Sequence, residues 1–405
     1  MRPWDIRSTS FLLHACRVMV GLVLVGALQV MVTAGEDHSI PAGFVYPEPT
    51  ITPEKARELA TKHAVLTLLN VTELSAEVAK ALVIPYPDTF LTLPAVTKLD
   101  EEAAKLLAAR PGYLRLWGLN TLTPEVSAAL VAHKGQRLEL NGVEEISPEV
   151  AAALAKGQRG GLSIGLKELP PAIAVILATS NFSLTFPKLR TLPVESADAL
   201  SAHRRSLSLG AATISEEVAT ALLKHQGNIG IELATRLEPG VGDILARHRY
   251  EVTLMLEEID SAPLARKLFS EPNASSSVYR LKTISPEVAA VYAELDPGYL
   301  ANVDNLSPQA AKALATGKYE LKLPALARLS PDLAISLTAR NRSVYLCGLK
   351  SLEGPDAVAV AEALASTPAP IYIPNLERIS AHALAELRKK ATITTPPDEK
   401  MTIVE

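Results

Sequence analysis

Thr123-Pro124-Glu125-Val126, Ser147-Pro148-Glu149-Val150 and Ser285-Pro286-Glu287-Val288 are three copies of one phrase. Looser copies occur at Ser307-Pro308-Gln309-Ala310, Ser330-Pro331-Asp332-Leu333 and Ser215-Glu216-Glu217-Val218. Degenerate ones begin near Thr52, Ser75, Asp100, Pro170, Pro193, Glu238, Asp260, Glu353 and Ser380. The phrase returns about every 22 to 27 residues, a period that signals a solenoid of stacked coils. Each part has a physical job. A Ser or Thr hydroxyl accepts a hydrogen bond from an orphan amide at a helix start. The proline behind it occupies a position whose N–H is not needed. The glutamate sets a negative charge near the positive end of the helix.

A short alanine-rich helix is predicted after each phrase. Val126 and Leu130 share one face, as do Val150 and Leu154. Gly135, Gly157, Gly227 and Gly317 stop the helices. Alternating segments follow: Leu114-Arg115-Leu116, Leu138-Glu139-Leu140, Leu321-Lys322-Leu323 and Ile371-Tyr372-Ile373. Period two means a strand with one buried face. Apolar residues at three-residue steps, such as Leu346, Leu349 and Leu352, close the coil. A single coil of this size buries too little to stand alone, so neighbouring coils must stabilise it.

The segments Leu138-Glu139-Leu140-Asn141-Gly142-Val143 and Val344-Tyr345-Leu346-Cys347-Gly348-Leu349 resemble leucine-rich repeats. The resemblance covers nearly all of Thr52 to Thr394. It implies a curved solenoid with its sheet on the concave side, used mostly for binding. Where that family carries a buried Asn or Cys, this chain has Leu119, Val143, Leu326 or Leu349, so the family's side-chain ladder is expected to be missing. The pairs Leu93-Pro94, Leu323-Pro324 and Ile373-Pro374 resemble atypical bacterial members. The expected fold is thus an α/β, right-handed helix–strand solenoid, with one continuous parallel sheet and short helices opposite. An all-helical solenoid is the rival, and it fits poorly with the Leu-X-Leu alternation.

Composition agrees with thin stacked layers. Hydrophobic residues make up 48% of the 405, yet aromatics only 4%, so the core is aliphatic. The net charge of −4 comes with scattered Lys and Arg, which gives no basic stripe for nucleic acid. Of the two cysteines, Cys16 lies in the leader and leaves Cys347 alone. Neither an internal disulfide nor a thiolate metal site can then form.

Residues 1–34 have the form of an export signal. Arg2, Arg7 and Arg17 precede the apolar run from Val18 to Ala34, which ends Val32-Thr33-Ala34 before Gly35. The competing reading is an uncleaved membrane anchor within residues 11–34. Either places the repeats outside the cytoplasm. Residues 35–51 are expected to be a linker, 52–394 a stack of about fifteen coils, and 395–405 a frayed tail. Asn-X-Ser/Thr sites stand at Asn70, Asn181, Asn273, Asn305 and Asn341, and chance recurrence of Ser and Thr at coil boundaries explains them as well as glycosylation does.

No catalytic constellation emerges, and no cofactor or metal is expected. His133, His203, His225 and His248 recur at one repeat position. They form either a metal or pH-sensing ladder or a set of rings suited to a helix end; the second is the expectation. The central residue of each Leu-X-Leu should point to the open face of the sheet. Candidate partner contacts there are Arg115, Tyr279, Lys322, Tyr345 and Tyr372. The composite expectation is a non-enzymatic, exported scaffold for an unknown protein. The alternative is a self-associating envelope component that binds cell-wall polymer.

Overall fold

The computed structural model describes residues 43–405, except 87, 159, 272–277 and 297–299. The export or anchor segment, Cys16 and Asn273 lie outside the described residues. The chain divides into two compact units. The N-terminal unit comprises 43–234 and 247–254, and the C-terminal unit 235–246 and 255–405.

The capping phrases do what their chemistry requires. At Thr52, Ser75, Asp100, Thr123, Ser147 and Ser215 the side-chain oxygen accepts from the amide three residues on. Ser261, Ser285, Ser307, Ser330 and Ser380 do the same. The side chains of Pro170 and Pro193 have no polar atom to offer, and their helices begin without a side-chain bond. The helices behind them are short, from six to ten residues. Val126, Leu130, Val150 and Leu154 are buried on one face as expected. Ala104, Ala151, Ala174, Ala197 and Ala219 are fully buried where consecutive helices pack. A methyl group is what permits that close approach.

In the N-terminal unit ten parallel strands stack in chain order. They are β1 (Phe44–Tyr46), β2 (Val65–Leu68), β3 (Phe90–Thr92), β4 (Tyr113–Arg115) and β5 (Arg137–Leu140). There follow β6 (Gly161–Ile164), β7 (Ser183–Phe186), β8 (Leu207–Leu209), β9 (Ile229–Ile231) and β10 (Val252–Leu254). Leu91 pairs with Leu114, and Leu138 with Leu162, so the apolar columns run unbroken through the core. Directly after the strands the coils touch backbone to backbone. A Cβ on Gly142 would lie 2.3 Å from the Trp117 carbonyl oxygen, and one on Gly165 1.9 Å from that of Asn141. No side chain fits there.

The C-terminal unit departs from the expected single sheet. Among the described residues it holds β11 (Glu258–Ile259) with β12 (Thr283–Ile284). A four-stranded sheet contains β13 (Leu321–Lys322), β14 (Val344–Tyr345), β16 (Ile371–Tyr372) and β18 (Ile393–Thr394). A three-stranded one contains β15 (Ser351–Leu352), β17 (Arg378–Ser380) and β19 (Thr402–Val404). The interruption has a local cause. Residues 278–280 form a helical turn, with the Leu281 amide donating to the Val278 carbonyl at 3.2 Å. A second turn occupies 301–302. Neither segment has the Leu-X-Leu alternation that would extend it.

The stacking also reaches past both expected limits. Phe44–Tyr46, inside the expected linker, pairs in parallel with β2. Thr402–Val404, inside the expected tail, pairs with β17.

Candidate functional site: the open face of the strands

The central strand residues were expected to be exposed, and in the N-terminal unit several are not. Thr67 is 1% and Thr92 0% exposed, while Ser163, Thr185 and Glu139 are also buried. Strands about 4.8 Å apart bring large neighbours over small ones. Phe90 and Tyr113 are in register, and their rings stack at 4.2 Å between centroids and 12°. The Arg115 guanidinium lies 5.2 Å from the Phe90 centroid and 5.3 Å from that of Trp117. Its long side chain therefore lies back over the sheet between two aromatic rings.

Glu139 organises this group. It is opposite Arg115 in register, with Arg115 Nε 3.2 Å from its carboxylate. Trp117 Nε1 donates to the same oxygen at 2.9 Å, and Arg137 Nε lies 4.0 Å from the other. Arg137 also donates through Nη2 to the Thr185 hydroxyl, two strands away. It crosses β6 where Gly161 leaves room, its Cγ 3.6 Å from where a Cβ would stand. The result is a fixed aromatic and guanidinium cluster beside a low floor of Gly161, Ser163 and Gly165. Such rigid groups offer contact area at small entropic cost.

In the C-terminal unit three of the sequence candidates come together. Tyr345 and Tyr372 pair in register and stack at 4.5 Å and 8°. Lys322 Nζ lies 5.7 Å from the Tyr345 centroid and 3.8 Å from the Glu320 carboxylate. Stacking leaves Tyr345 only 7% exposed, so it supports Tyr372 rather than presenting itself. Tyr279 does not join them. It stands in the turn at 278–280, and its carbonyl accepts from Asn302 Nδ2. Arg115 belongs to the other unit.

A second feature lies where each helix hands over to its strand. Arg110 follows its cap Asp100 by ten residues, as His133 follows Thr123, His225 follows Ser215, and Arg340 follows Ser330. In several coils this position ties the coil to the one before. Arg110 Nη1 donates to the Leu82 carbonyl at 2.6 Å, and Arg340 Nη2 to that of Tyr319. The equivalent Lys390 Nζ donates to the Thr367 carbonyl, and Thr367 Oγ1 to that of Thr338 at 2.9 Å. His225 Nδ1 lies 3.3 Å from the Leu200 carbonyl, and His248 Nε2 3.0 Å from that of Gly227. A carbonyl only accepts, so those ring nitrogens carry the proton. Burial pushes the Arg110 guanidinium down to about 10, which leaves it charged at neutral pH. The family's Asn ladder was expected to be absent. Leu376 holds that place in its coil; one residue earlier, Asn375 Nδ2 donates to the Cys347 carbonyl at 2.8 Å, as Asn302 Nδ2 does to that of Tyr279.

Glu144, Glu257 and Glu258 form ion pairs between coils. Glu144 meets Lys167 at 2.6 Å and Lys188 at 3.4 Å, and Lys167 holds its carboxyl below the usual range. Glu257 meets Lys282 at 2.9 Å and Glu258 meets Arg236 at 2.5 Å. Cys347 is buried. Among the described residues no group of three His, Cys, Asp or Glu is placed to hold a metal ion. No helix among them is long and apolar enough to cross a membrane.

No protein-family model matches the chain, and no curated protein matches it. Among solved structures, a leucine-rich-repeat protein of Leptospira interrogans is similar at 15% identity, over 86% of this chain and 88% of its own, with a TM-score of 0.36. An internalin of Listeria monocytogenes is similar at 15% identity over 85% and 88%, with a TM-score of 0.33. Toll, in its Drosophila complex with Spatzle, is similar at 10% identity over 89% of this chain and 51% of its own, with a TM-score of 0.34. By its own repeating coil, a short strand in parallel register followed by a capped helix, the chain is a leucine-rich-repeat-like α/β solenoid.

Proposed function

We propose that the protein is a non-enzymatic, exported interaction scaffold that binds a protein partner on the open face of its strands. The observation that carries this reading is the cluster of Phe90, Tyr113, Arg115, Trp117 and Glu139. Arg, Trp and Tyr held rigidly by their neighbours are the residue types that dominate binding energy at protein interfaces. In the C-terminal unit, Lys322 and Tyr372 supply a second contact row, with Tyr345 behind them. Export rests on the sequence of residues 1–34.

A photo-crosslinking residue at position 113 tests the face. It should give a discrete protein adduct in native envelopes, and Trp117→Ala should reduce the yield several-fold. The same probe at Val175, which is 57% exposed on a helix, should give none. Equal yields at the two positions would end the proposal.

The self-associating envelope component remains the second reading, and one observation favours it. Among the described residues β1 pairs only with β2, and Phe44 and Val45 on it are exposed. Open strand edges recruit further strands. Light scattering that shows mass growing with concentration would favour this reading over the scaffold.

A further inference from the structure

Three of the tying positions in the N-terminal unit fall on consecutive coils and all three carry histidine. The rings of His203 and His225 stack with centroids 5.9 Å apart at 22°, and those of His225 and His248 at 6.3 Å and 16°. All three are buried. His203 faces the carbonyls of Ala178, Ser180 and Phe182 and feels the Arg205 guanidinium. His225 faces the carbonyls of Leu200 and Arg205, with a histidine on either side. His248 meets the Gly227 carbonyl and the ring of Tyr250, 5.9 Å away. Tyr250 in turn lies 5.8 Å from the Arg249 guanidinium.

The position itself tolerates a cation. Arg110 holds one there, and so does Arg340. Arg340, however, has uncharged Gly317 and Thr367 at the equivalent places one coil away on either side. The histidine stack differs by its spacing. Were all three rings protonated, three charges would stand about 6 Å apart in a region shielded from water, where repulsion is felt strongly.

We propose that the His203–His225–His248 stack is a proton-sensitive seam, which holds its coils together while the middle ring is neutral and loosens them in mild acid. The coils it joins carry β8, β9 and β10. Their open face holds the bond from Ser208 to the Glu232 carboxylate and that from Asn228 to Glu251. Loosening the seam would therefore alter that part of the face. Burial, and then the two flanking rings, push the His225 imidazole down to about 4, from an ordinary 6.5. Between those values the unfolded chain binds more protons than the folded one. The stability His225 contributes is thus fully present above 6.5 and is lost as pH falls from there through about 4.

Hydrogen exchange of the full chain at pH 7.5 and 5.0, corrected for the intrinsic pH dependence of amide exchange, tests the seam. Peptides from 183–254 should lose protection on the order of tenfold at the lower pH. Peptides from 331–394, where Arg340 and Lys390 hold the position, should not. His225→Ser should fold at pH 7.5, since Ser180 already occupies the equivalent place, and should lose most of the pH response. Equal loss in both regions, no loss in either, or a variant with the full response would each overturn the proposal. If the variant fails to fold, the contrast between the two regions of the unsubstituted chain still decides.

Discussion

In the N-terminal unit ten strands of three or four residues stack in unbroken order, whereas in the C-terminal unit β13, β14, β16 and β18 have two residues each. The coils that lose pairing at this position regain some at another. Strands β11, β12, β15 and β17 lie just before or at a helix start; β11 pairs with β12, and β17 with both β15 and β19. In the N-terminal unit that place carries no strand among the described residues. The lesson concerns what a coil must supply. Its neighbours need some run of backbone hydrogen bonds, and the chain meets that need wherever local sequence leaves an extended segment.

Glycine substitutions should break this comparison most sharply. Gly142→Val in the N-terminal unit drives a side chain against the Trp117 and Leu119 carbonyls, 2.3 and 2.5 Å from the ideal Cβ. It should cost about 3 kcal/mol or more, read as a lowered urea midpoint. Gly354 in the C-terminal unit has open space around it but a φ of +91°. There Gly354→Ala should cost about 1 kcal/mol, through backbone strain alone. Similar losses at both sites would mean that stacking distance is not what selects glycine in the first unit.

A smaller effect is expected from Arg110→Ala, which leaves the buried Leu82 carbonyl without its donor. The loss should be about 2 kcal/mol in urea unfolding. A change within error would show that the tying position is dispensable. Smallest is Arg378→Ala in the C-terminal unit. Its pair with Glu353, at 2.6 Å, is half exposed on the arginine side, so solvent screens it and the expected loss is the least of the four. A loss as large as that of Arg110 would assign the C-terminal coils to ion pairs rather than to their second strand ladder.

Much of the coil was legible in residues alone. Ser147, Ser285 and Ser330 cap helices because their hydroxyls suit that place and few others, and Leu138 and Leu140 are buried because period two admits one apolar face. What escaped depends on the neighbouring coil. Alternation tells which way Thr92 leaves its strand, but not that Arg115 and Phe90 will cover it. It likewise points Tyr345 outward without revealing that Tyr372 stacks on it. Tyr279 failed for a different reason: its segment lacks the alternation and folds as a turn. The tying position was visible only in part. Four histidines made a pattern, yet Arg110, Ser180, Arg340, Thr367 and Lys390 share their place without sharing their chemistry. Where Arg110, Arg340, Thr367 and Lys390 bond, the common element is a carbonyl of the coil before, which no side chain encodes.

That last point bears on how such a chain changes length. At the tying position the acceptor of each cross-coil bond is main chain, present whatever residue the earlier coil carries. A donor can therefore meet any coil set before it, provided the phase is kept. Duplicating or deleting one entire coil preserves that match and leaves the flanking sequence usable as it stands. Removing half a coil does not, since arginine or lysine would then arrive opposite the wrong turn with nothing to receive it.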